Sequence, residues 1–192
     1  MVRIDVLKKL REETGHSIAK CKEALEESGG DLEKARGILR ERGSVVMRKK
    51  ADRDLGAGVI QSYIHTTNRV GTMVKLLCET DFVARNEEFI ALARDIAIHC
   101  AAFQPVYRTR DMVAEDVMQR VMSELEEQVG DVPGSAQDKA LAGMLDAKMR
   151  EVVLEEQAFL KDDTRTIKNL VEEAVQKFGE RMEIGRFVVW VL

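Results

Sequence analysis

Three runs of strand-forming residues stand in a chain whose remaining pattern is mostly helical. GVIQSYIH (58–65) and TMVKLLCET (72–80) are rich in β-branched and apolar residues, and the turn residues Asn68 and Gly71 lie between them. The third run, Phe187–Leu192, lies at the far end of the sequence. An isolated hairpin is only marginally stable in water, so the last run is needed as a third strand. We therefore predict an α+β fold with a small antiparallel three-stranded sheet packed with helices.

One face of this predicted sheet is expected to be apolar. Successive side chains on a strand point to opposite faces, so residues two apart share a face. On that basis we predict that Ile60 and Ile64 of the first strand match Val74, Leu76 and Cys78 of the second.

The rest of the chain carries apolar residues at helical spacing. Only two of the 192 residues are proline, and Ala, Leu, Glu and Lys are abundant, which favours helices. One further helix is predicted from Gln137 to Gln157, and another is predicted to end near Gly130–Gly134. The apolar positions that mark the helices are Ile4, Leu7 and Leu10; Ile18, Cys21 and Leu25; Leu32, Ala35 and Leu39; Phe89, Leu92, Ile96 and Cys100; Val113, Val117, Val121 and Leu125; and Ile167, Leu170, Ala174 and Phe178.

The first 43 residues are predicted to form a module of three short helices. Thr14–Gly15 breaks the first helix, and Ser17 is placed to cap the second. Gly29–Gly30 supplies a left-handed exit, Asp31 caps the third helix, and Gly43 is predicted to end the set. A bundle of this length is at the lower limit of independent stability, so its faces are expected to serve a neighbour as well.

Residues 44–57 are predicted to be a basic linker, mobile or half-helical, before a core domain at 58–192. Arg48, Lys49, Lys50 and Arg53 make this stretch cationic. Such a charge run is either a solvated surface or a contact strip for an acidic partner, and the sequence leaves both interpretations open.

Composition and motifs exclude several classes of function. The net charge of −4 argues against a nucleic acid as the main ligand, and no apolar run approaches the ~18 residues that a membrane-spanning helix needs. No nucleotide-binding or nucleophile-elbow motif is present, and the three histidines lack a partner at metal-ligand spacing. The widely spaced Cys21, Cys78 and Cys100 indicate buried, reduced thiols. We expect a cytoplasmic protein without a cofactor or a metal, and not an enzyme.

The stretch LLCETDFVARNEEF (76–89) places Phe82 in a connection between a predicted strand and a helix that Asn86 would cap. Spacing alone favours a ring buried at the corner, because most phenylalanines are buried, with Asp81 as a turn or capping acid. A ring that reaches into a partner is the alternative.

Five segments together resemble the bacterial elongation factor Ts family. These are TGHSIAKCKEALEESGGDLEKARGILRERG (14–43), SYIH (62–65), CETDFVARNEEF (78–89), LEEQAFLKDD (154–163) and RFVV (186–189). The resemblance covers nearly the whole chain, in the short form of the family, with a single TDFVAR. It implies a ubiquitin-associated-like (UBA-like) helical module and a core that grips elongation factor Tu, both GDP-bound and nucleotide-free. It further implies GDP release without covalent chemistry, so that GTP can rebind.

The resemblance also assigns roles to residues. Thr80, Asp81, Phe82 and Val83 would dislodge Mg²⁺ from the partner: Phe82 as a wedge near the ion, Asp81 holding the turn and bonding to the partner, and Val83 as an internal anchor. Partner contacts at the N-terminus would come from Arg11, Ile18 and Lys22. The chain departs from the family at Ala19 (usually Met), Asp52 (usually Gly) and Ala158 (usually Pro). Some short members pair as homodimers, and the last strand offers a surface for this.

Two other functions remain as alternatives. A non-catalytic adaptor would bind a helical or ubiquitin-like partner through residues 1–43 alone. An oxidoreductase or hydrolase would use Cys78 as its nucleophile.

Overall fold

The computed structural model describes residues 3–50, 52–129 and 135–192, and it confirms the predicted α+β class. The strands are β1 (Ala57–Ile64), β2 (Val70–Cys78), β3 (Ala158–Phe159), β4 (Asp162–Thr166) and β5 (Met182–Val191). The α-helices are α1 (Ile4–Thr14), α2 (Ile18–Glu27), α3 (Leu32–Lys49), α4 (Asp81–Ala84), α5 (Glu87–Phe103), α6 (Glu115–Val129), α7 (Ser135–Val152) and α8 (Ile167–Phe178). Two 3₁₀ turns lie at Arg110–Met112 and Leu154–Glu156.

The three-stranded sheet has the predicted composition, with β2 between β1 and β5. The His65 amide donates to the Val70 carbonyl where β1 turns into β2, and the Leu192 amide donates to the Arg69 carbonyl. The strands β1 and β2 approach closely at Gly58, where a Cβ atom would lie 2.4 Å from the Leu76 carbonyl oxygen. β5 begins at Met182, five residues before the predicted start.

The prediction about the buried face of the sheet is correct for β2 and wrong for β1. Val74, Leu76 and Cys78 are fully buried, but Ile60 and Ile64 are 59% and 61% exposed. The half-buried side chains of β1 are those that alternate with them. A one-residue error of register moves a whole apolar set to the other face.

The three N-terminal helices form with the predicted caps. The Ser17 hydroxyl accepts from the Lys20 amide, and the Asp31 carboxylate accepts from the Lys34 amide. Gly15, Gly29 and Gly30 adopt positive φ angles at the breaks. Their shared core contains Leu10, Cys21, Ala24, Leu25, Ala35 and Leu39.

Two details of this segment differ from the prediction. Ile4 lies in solvent rather than on the buried side of α1. Gly43 does not end the third helix, because α3 continues to Lys49 and takes up the first part of the predicted linker. Gly43 allows close packing instead: a Cβ atom there would lie 2.7 Å from the side-chain Nε2 atom of Gln176.

The second half of the chain holds the predicted helices together with a hairpin that the sequence did not indicate. The helix predicted to reach Gln157 ends at Val152, and β3 and β4 then pair as an antiparallel two-stranded sheet. Val113 lies before α6 rather than in it, and packs with Met149 and Val153. The predicted end at Gly130–Gly134 lies outside the described residues.

By spatial compactness the chain divides into two units. The first comprises the described residues of Met1–Gln61, Val74–Arg94 and Lys168–Gly185, and the second those of Ser62–Met73, Asp95–Ile167 and Arg186–Leu192. This division does not test whether 1–43 and 58–192 are separate domains, so those boundaries stay a prediction. No helix in the described part of the chain is both long and apolar enough to cross a bilayer.

Candidate functional site

Phe82 lies on α4, a single helical turn between β2 and α5, and its side chain is 85% exposed. The next residue, Val83, is only 3% exposed, and Ala84 is also buried. One side of the turn is thus held in the protein while the aromatic ring lies in solvent. Val83 is buried, as an internal anchor would be, and offers almost no surface to a partner in this conformation.

The residue before the turn is fixed by polar contacts on several atoms. The Thr80 amide and hydroxyl both donate to the carboxylate of Glu180, and the Thr80 carbonyl accepts from the Ala84 amide at 3.1 Å. The Cys78 thiol lies 3.3 Å from the same carbonyl oxygen and donates to it. The amide, the carbonyl and the side chain of Thr80 therefore each have a hydrogen-bond partner.

Glu79 ties the same strand end to its neighbours. Its carboxylate accepts from the Arg181 amide and pairs with Arg53 at 3.0 Å. Burial alone would raise the pKa of the Glu79 carboxyl, but the Arg181 amide and the Arg53 guanidinium hold it below its usual value. The carboxylate is thus charged at neutral pH and keeps both contacts.

The other end of the turn is closed by the cap of α5. As predicted, Asn86 caps this helix: its side-chain oxygen accepts from the Glu88 amide at 2.9 Å. Asp81, Phe82 and the segment from Arg85 to Glu88 line an open crevice of about 740 Å³. An exposed aromatic ring offers a large apolar area that contact with another macromolecule would bury.

The predicted N-terminal contact residues are all exposed. Ile18 is 53% exposed and lies four residues from Lys22, so both share one face of α2; Ala19 is beside them. Arg11 lies in the last turn of α1. These residues belong to the same compact unit as Phe82.

Lys177 of α8 lies between these two groups of candidate residues. Its ammonium pairs with Glu88, at the start of α5. A Cβ atom on Gly15 would lie 3.0 Å from the same ammonium nitrogen. Lys20 of α2 also reaches α8, where its ammonium donates to the Gln176 carbonyl at 3.2 Å. The segment around Ile18 and the start of α5 thus both contact α8.

Part of the predicted basic strip is used inside the protein. The Lys50 ammonium donates to the Gly179 carbonyl, and Arg53 pairs with Glu79. The side chains of Arg48 and Lys49 lie outside the described residues.

The three cysteines lack the features of a nucleophile. All are free and buried, as predicted. Burial raises the pKa of the Cys100 thiol to about 12, and burial together with the nearby Glu180 carboxylate raises that of Cys78 to about 11. At neutral pH the Cys78 thiol is protonated, so a reaction based on it has no thiolate to begin from.

Two of the histidines are buried. His99 is bonded on both ring nitrogens, to the Gln157 side chain at 3.0 Å and to the Leu160 amide at 3.3 Å. His16 is 2% exposed and has no hydrogen-bond partner on either ring nitrogen. Within the described residues no group of three His, Cys, Asp or Glu side chains is placed to hold a metal ion.

Sequence reasoning missed Glu180. It lies 100 residues from Thr80 along the chain, and nothing in the local pattern of either segment points to the contact. In the structure the two residues meet because β5, which follows Glu180, lies beside β2, which leads to Thr80.

Comparison with known proteins agrees with the resemblance. Residues 5–192 match the family model described as Elongation factor TS. The chain is 43% identical over 188 residues to Elongation factor Ts of Thermodesulfovibrio yellowstonii, and 41% identical over 186 residues to that of Thermotoga petrophila; each alignment covers 97% of this chain and 94% of the relative. A longer relative from Synechococcus, 42% identical over 190 residues, is covered over 67% of its length and 97% of this chain.

Proposed function

The chain belongs to the elongation factor Ts family, and on that premise we propose that it is a guanine nucleotide exchange factor for elongation factor Tu. It would bind the GDP-bound partner, promote loss of Mg²⁺ and GDP, and leave a nucleotide-free complex that GTP can enter. The observation that carries the proposal is Phe82, an 85% exposed ring on a turn anchored at both ends.

Exchange of this kind needs binding energy and no covalent step. A nucleotide held with nanomolar affinity has about 12 kcal/mol of binding free energy, so its spontaneous escape is slow. A protein that binds the nucleotide-free partner more tightly than the loaded partner weakens the nucleotide, and the nucleotide weakens the protein by the same factor.

Phe82 is proposed to supply the differential contact. Burying its exposed ring in a crevice of the partner would contribute about 1.5–3 kcal/mol. Mg²⁺ requires nearly ideal octahedral geometry, so a small displacement of its surroundings loosens it. The β-phosphate would then lose its main counter-charge. Asp81, exposed beside the ring, is proposed to hydrogen-bond to the partner, while Thr80 and Val83 hold the turn.

The three-helix segment 1–43 is proposed to dock on the same partner as a UBA-like module, with 44–57 as the linker and 58–192 as the core. Arg11, Ile18 and Lys22 would make the docking contact. Ala19 and Ile18 are both exposed. Because alanine is smaller than methionine, the apolar contact at position 19 is expected to be smaller than a Met would give. A cytoplasmic location and a homodimer belong to the same proposal, and sedimentation of the purified protein tests the dimer.

The test is release of labelled GDP from purified elongation factor Tu. We expect wild type to accelerate release and Phe82→Ala to lose most of that acceleration. Phe103→Ala is the matched control, because Phe103 is also an exposed phenylalanine but lies in the other compact unit. Full activity of Phe82→Ala would remove the ring from the mechanism, and no acceleration by wild type would remove the function.

A binding experiment separates exchange from the adaptor alternative. An exchange factor must bind elongation factor Tu more weakly when GDP and Mg²⁺ are saturating, whereas an adaptor that uses only residues 1–43 would bind equally well with and without them.

A further inference from the structure

Glu180 lies on the connection between α8 and β5, and its carboxylate faces the residues that lead into Phe82. One carboxylate oxygen accepts the amides of Glu79 (3.2 Å) and Thr80 (3.0 Å), and the other accepts the Thr80 hydroxyl (2.5 Å). We propose that Glu180 is a positioning residue of the exchange site, which holds Thr80 so that Phe82 projects in one fixed direction. This inference rests on the exchange function proposed above.

The short helix α4 needs such an external support. It has only four residues, and so few residues do not form a stable helix by themselves. Thr80 occupies its N-cap position, yet the Thr80 side chain makes no capping bond to the helix. The Thr80 hydroxyl donates its hydrogen bond to Glu180 instead. The direction of Phe82 is therefore set by what holds Thr80 on one side and by the burial of Val83 on the other.

The end of β2 and the segment before β5 are joined by hydrogen bonds that run in both directions. Glu180 accepts the amides of Glu79 and Thr80, while the carboxylate of Glu79 accepts the amide of Arg181. Arg181 also donates through its guanidinium to the Arg53 carbonyl at 2.5 Å. If Glu180 is removed, the contact between Glu79 and Arg181 remains, so the segments stay paired, while Thr80 loses both of its bonds to the carboxylate and Glu79 loses one. A Glu180 variant is accordingly expected to fold.

The benefit to exchange is preorganisation. Hydrogen bonds to an ionised acceptor are stronger than neutral ones, so the carboxylate restrains Thr80 more firmly than a neutral group would. A ring that is already aimed loses less conformational freedom on binding. Without Glu180 the ring would sample other directions, and the step that needs it in the partner would slow. Docking through Arg11, Ile18 and Lys22 would not depend on this.

The experiment measures stimulated GDP release from elongation factor Tu across a range of concentrations of the full-length protein. Glu180→Ala should lower the maximal rate about tenfold, because misplacement by about 1 Å can cost as much as 100-fold. The concentration for half-maximal stimulation should change less than about twofold. Glu180→Gln keeps an acceptor oxygen and should recover most of the rate. Glu183→Ala, which removes a carboxylate bonded to Arg181 and not to Thr80, should match wild type.

A double variant tests whether Glu180 acts through Phe82. Phe82→Ala combined with Glu180→Ala should be no slower than Phe82→Ala alone, because a positioning residue has nothing left to position. Multiplied losses, or a wild-type rate for Glu180→Ala, would overturn the inference. If wild type itself fails to stimulate release, the proposed function falls instead. Should Glu180→Ala unfold, Thr80→Val removes one of the three donors, and a wild-type maximal rate for that variant would overturn the inference equally.

Discussion

His16 makes the stability of the first compact unit depend on pH between about 6.5 and 4. Its imidazole is buried between the break at Gly15 and the start of α2, and neither ring nitrogen has a hydrogen-bond partner. Burial, with Lys20 and Lys177 nearby, lowers the pKa of His16 from 6.5 to about 4. Protonation of the folded protein would place a third positive charge beside these two lysines without an acceptor.

The sign and size of the effect follow from proton uptake. Between about pH 6.5 and pH 4 the unfolded imidazole binds a proton while the folded one stays neutral, so stability falls as the pH falls. A pKa difference of about 2.5 units corresponds to about 3 kcal/mol in total, of which about 2 kcal/mol is lost by pH 5. At about pH 8 both states are neutral and the group contributes no pH dependence.

Urea unfolding followed by circular dichroism at about pH 8 and pH 5 measures this loss. His16→Leu removes the titrating ring and keeps an apolar side chain of similar size, which is neutral or stabilising where a buried polar group had no partner. Wild type should therefore lose about 2 kcal/mol more than His16→Leu between the two pH values. Carboxylates and His99 titrate in both proteins and cancel in the comparison. His65→Gln, at an exposed histidine, should behave as wild type. Equal losses in wild type and His16→Leu would refute the reasoning.

Two further predictions concern packing and thiol reactivity. Gly58→Ala should destabilise the protein by about 1–3 kcal/mol in the same urea assay, because its Cβ atom would meet the Leu76 carbonyl oxygen at 2.4 Å. Gly143→Ala in α7, where nothing lies within 4 Å of the new atom, should instead be neutral or stabilising by up to about 1 kcal/mol; the opposite order would contradict the packing argument. Cys21, Cys78 and Cys100 are buried, and burial raises the pKa of each thiol, so a thiol reagent at neutral pH should label them only after unfolding. Rapid labelling of the native protein would show that one of them is accessible.

The features predicted correctly from the sequence are those that local chemistry determines. The caps Ser17, Asp31 and Asn86 each bond to an amide two or three residues ahead, so the sequence contains both partners of the contact. The third strand was predictable for a different reason: an isolated two-stranded hairpin is only marginally stable in water, so a third strand was needed.

The features predicted wrongly depend on partners that are distant in the chain. On β1, apolar residues occupy both faces, so alternation alone could not show that Ile60 and Ile64 are the exposed set. Gly43 reads as a helix end, but its lack of a side chain admits Gln176, which is far away in sequence. The hairpin of β3 and β4 includes the polar run Asp162–Thr166, which carries no apolar alternation. Spacing alone favoured a buried Phe82, and that expectation is wrong, because the turn buries Val83 and leaves the Phe82 ring 85% exposed.

The continuity of α3 across Gly43 restricts how the first three helices can be isolated. A fragment that stops at residue 43 would be cut in mid-helix, and the last four carbonyls of the shortened helix would lose their amide partners. It would also lose the contact between the Leu39 carbonyl and Gln176. Fraying would then spread toward Leu39, one of the six buried residues of the small core. Poor binding by such a fragment would report damage from the cut, so a fair dissection must end the peptide beyond Lys49.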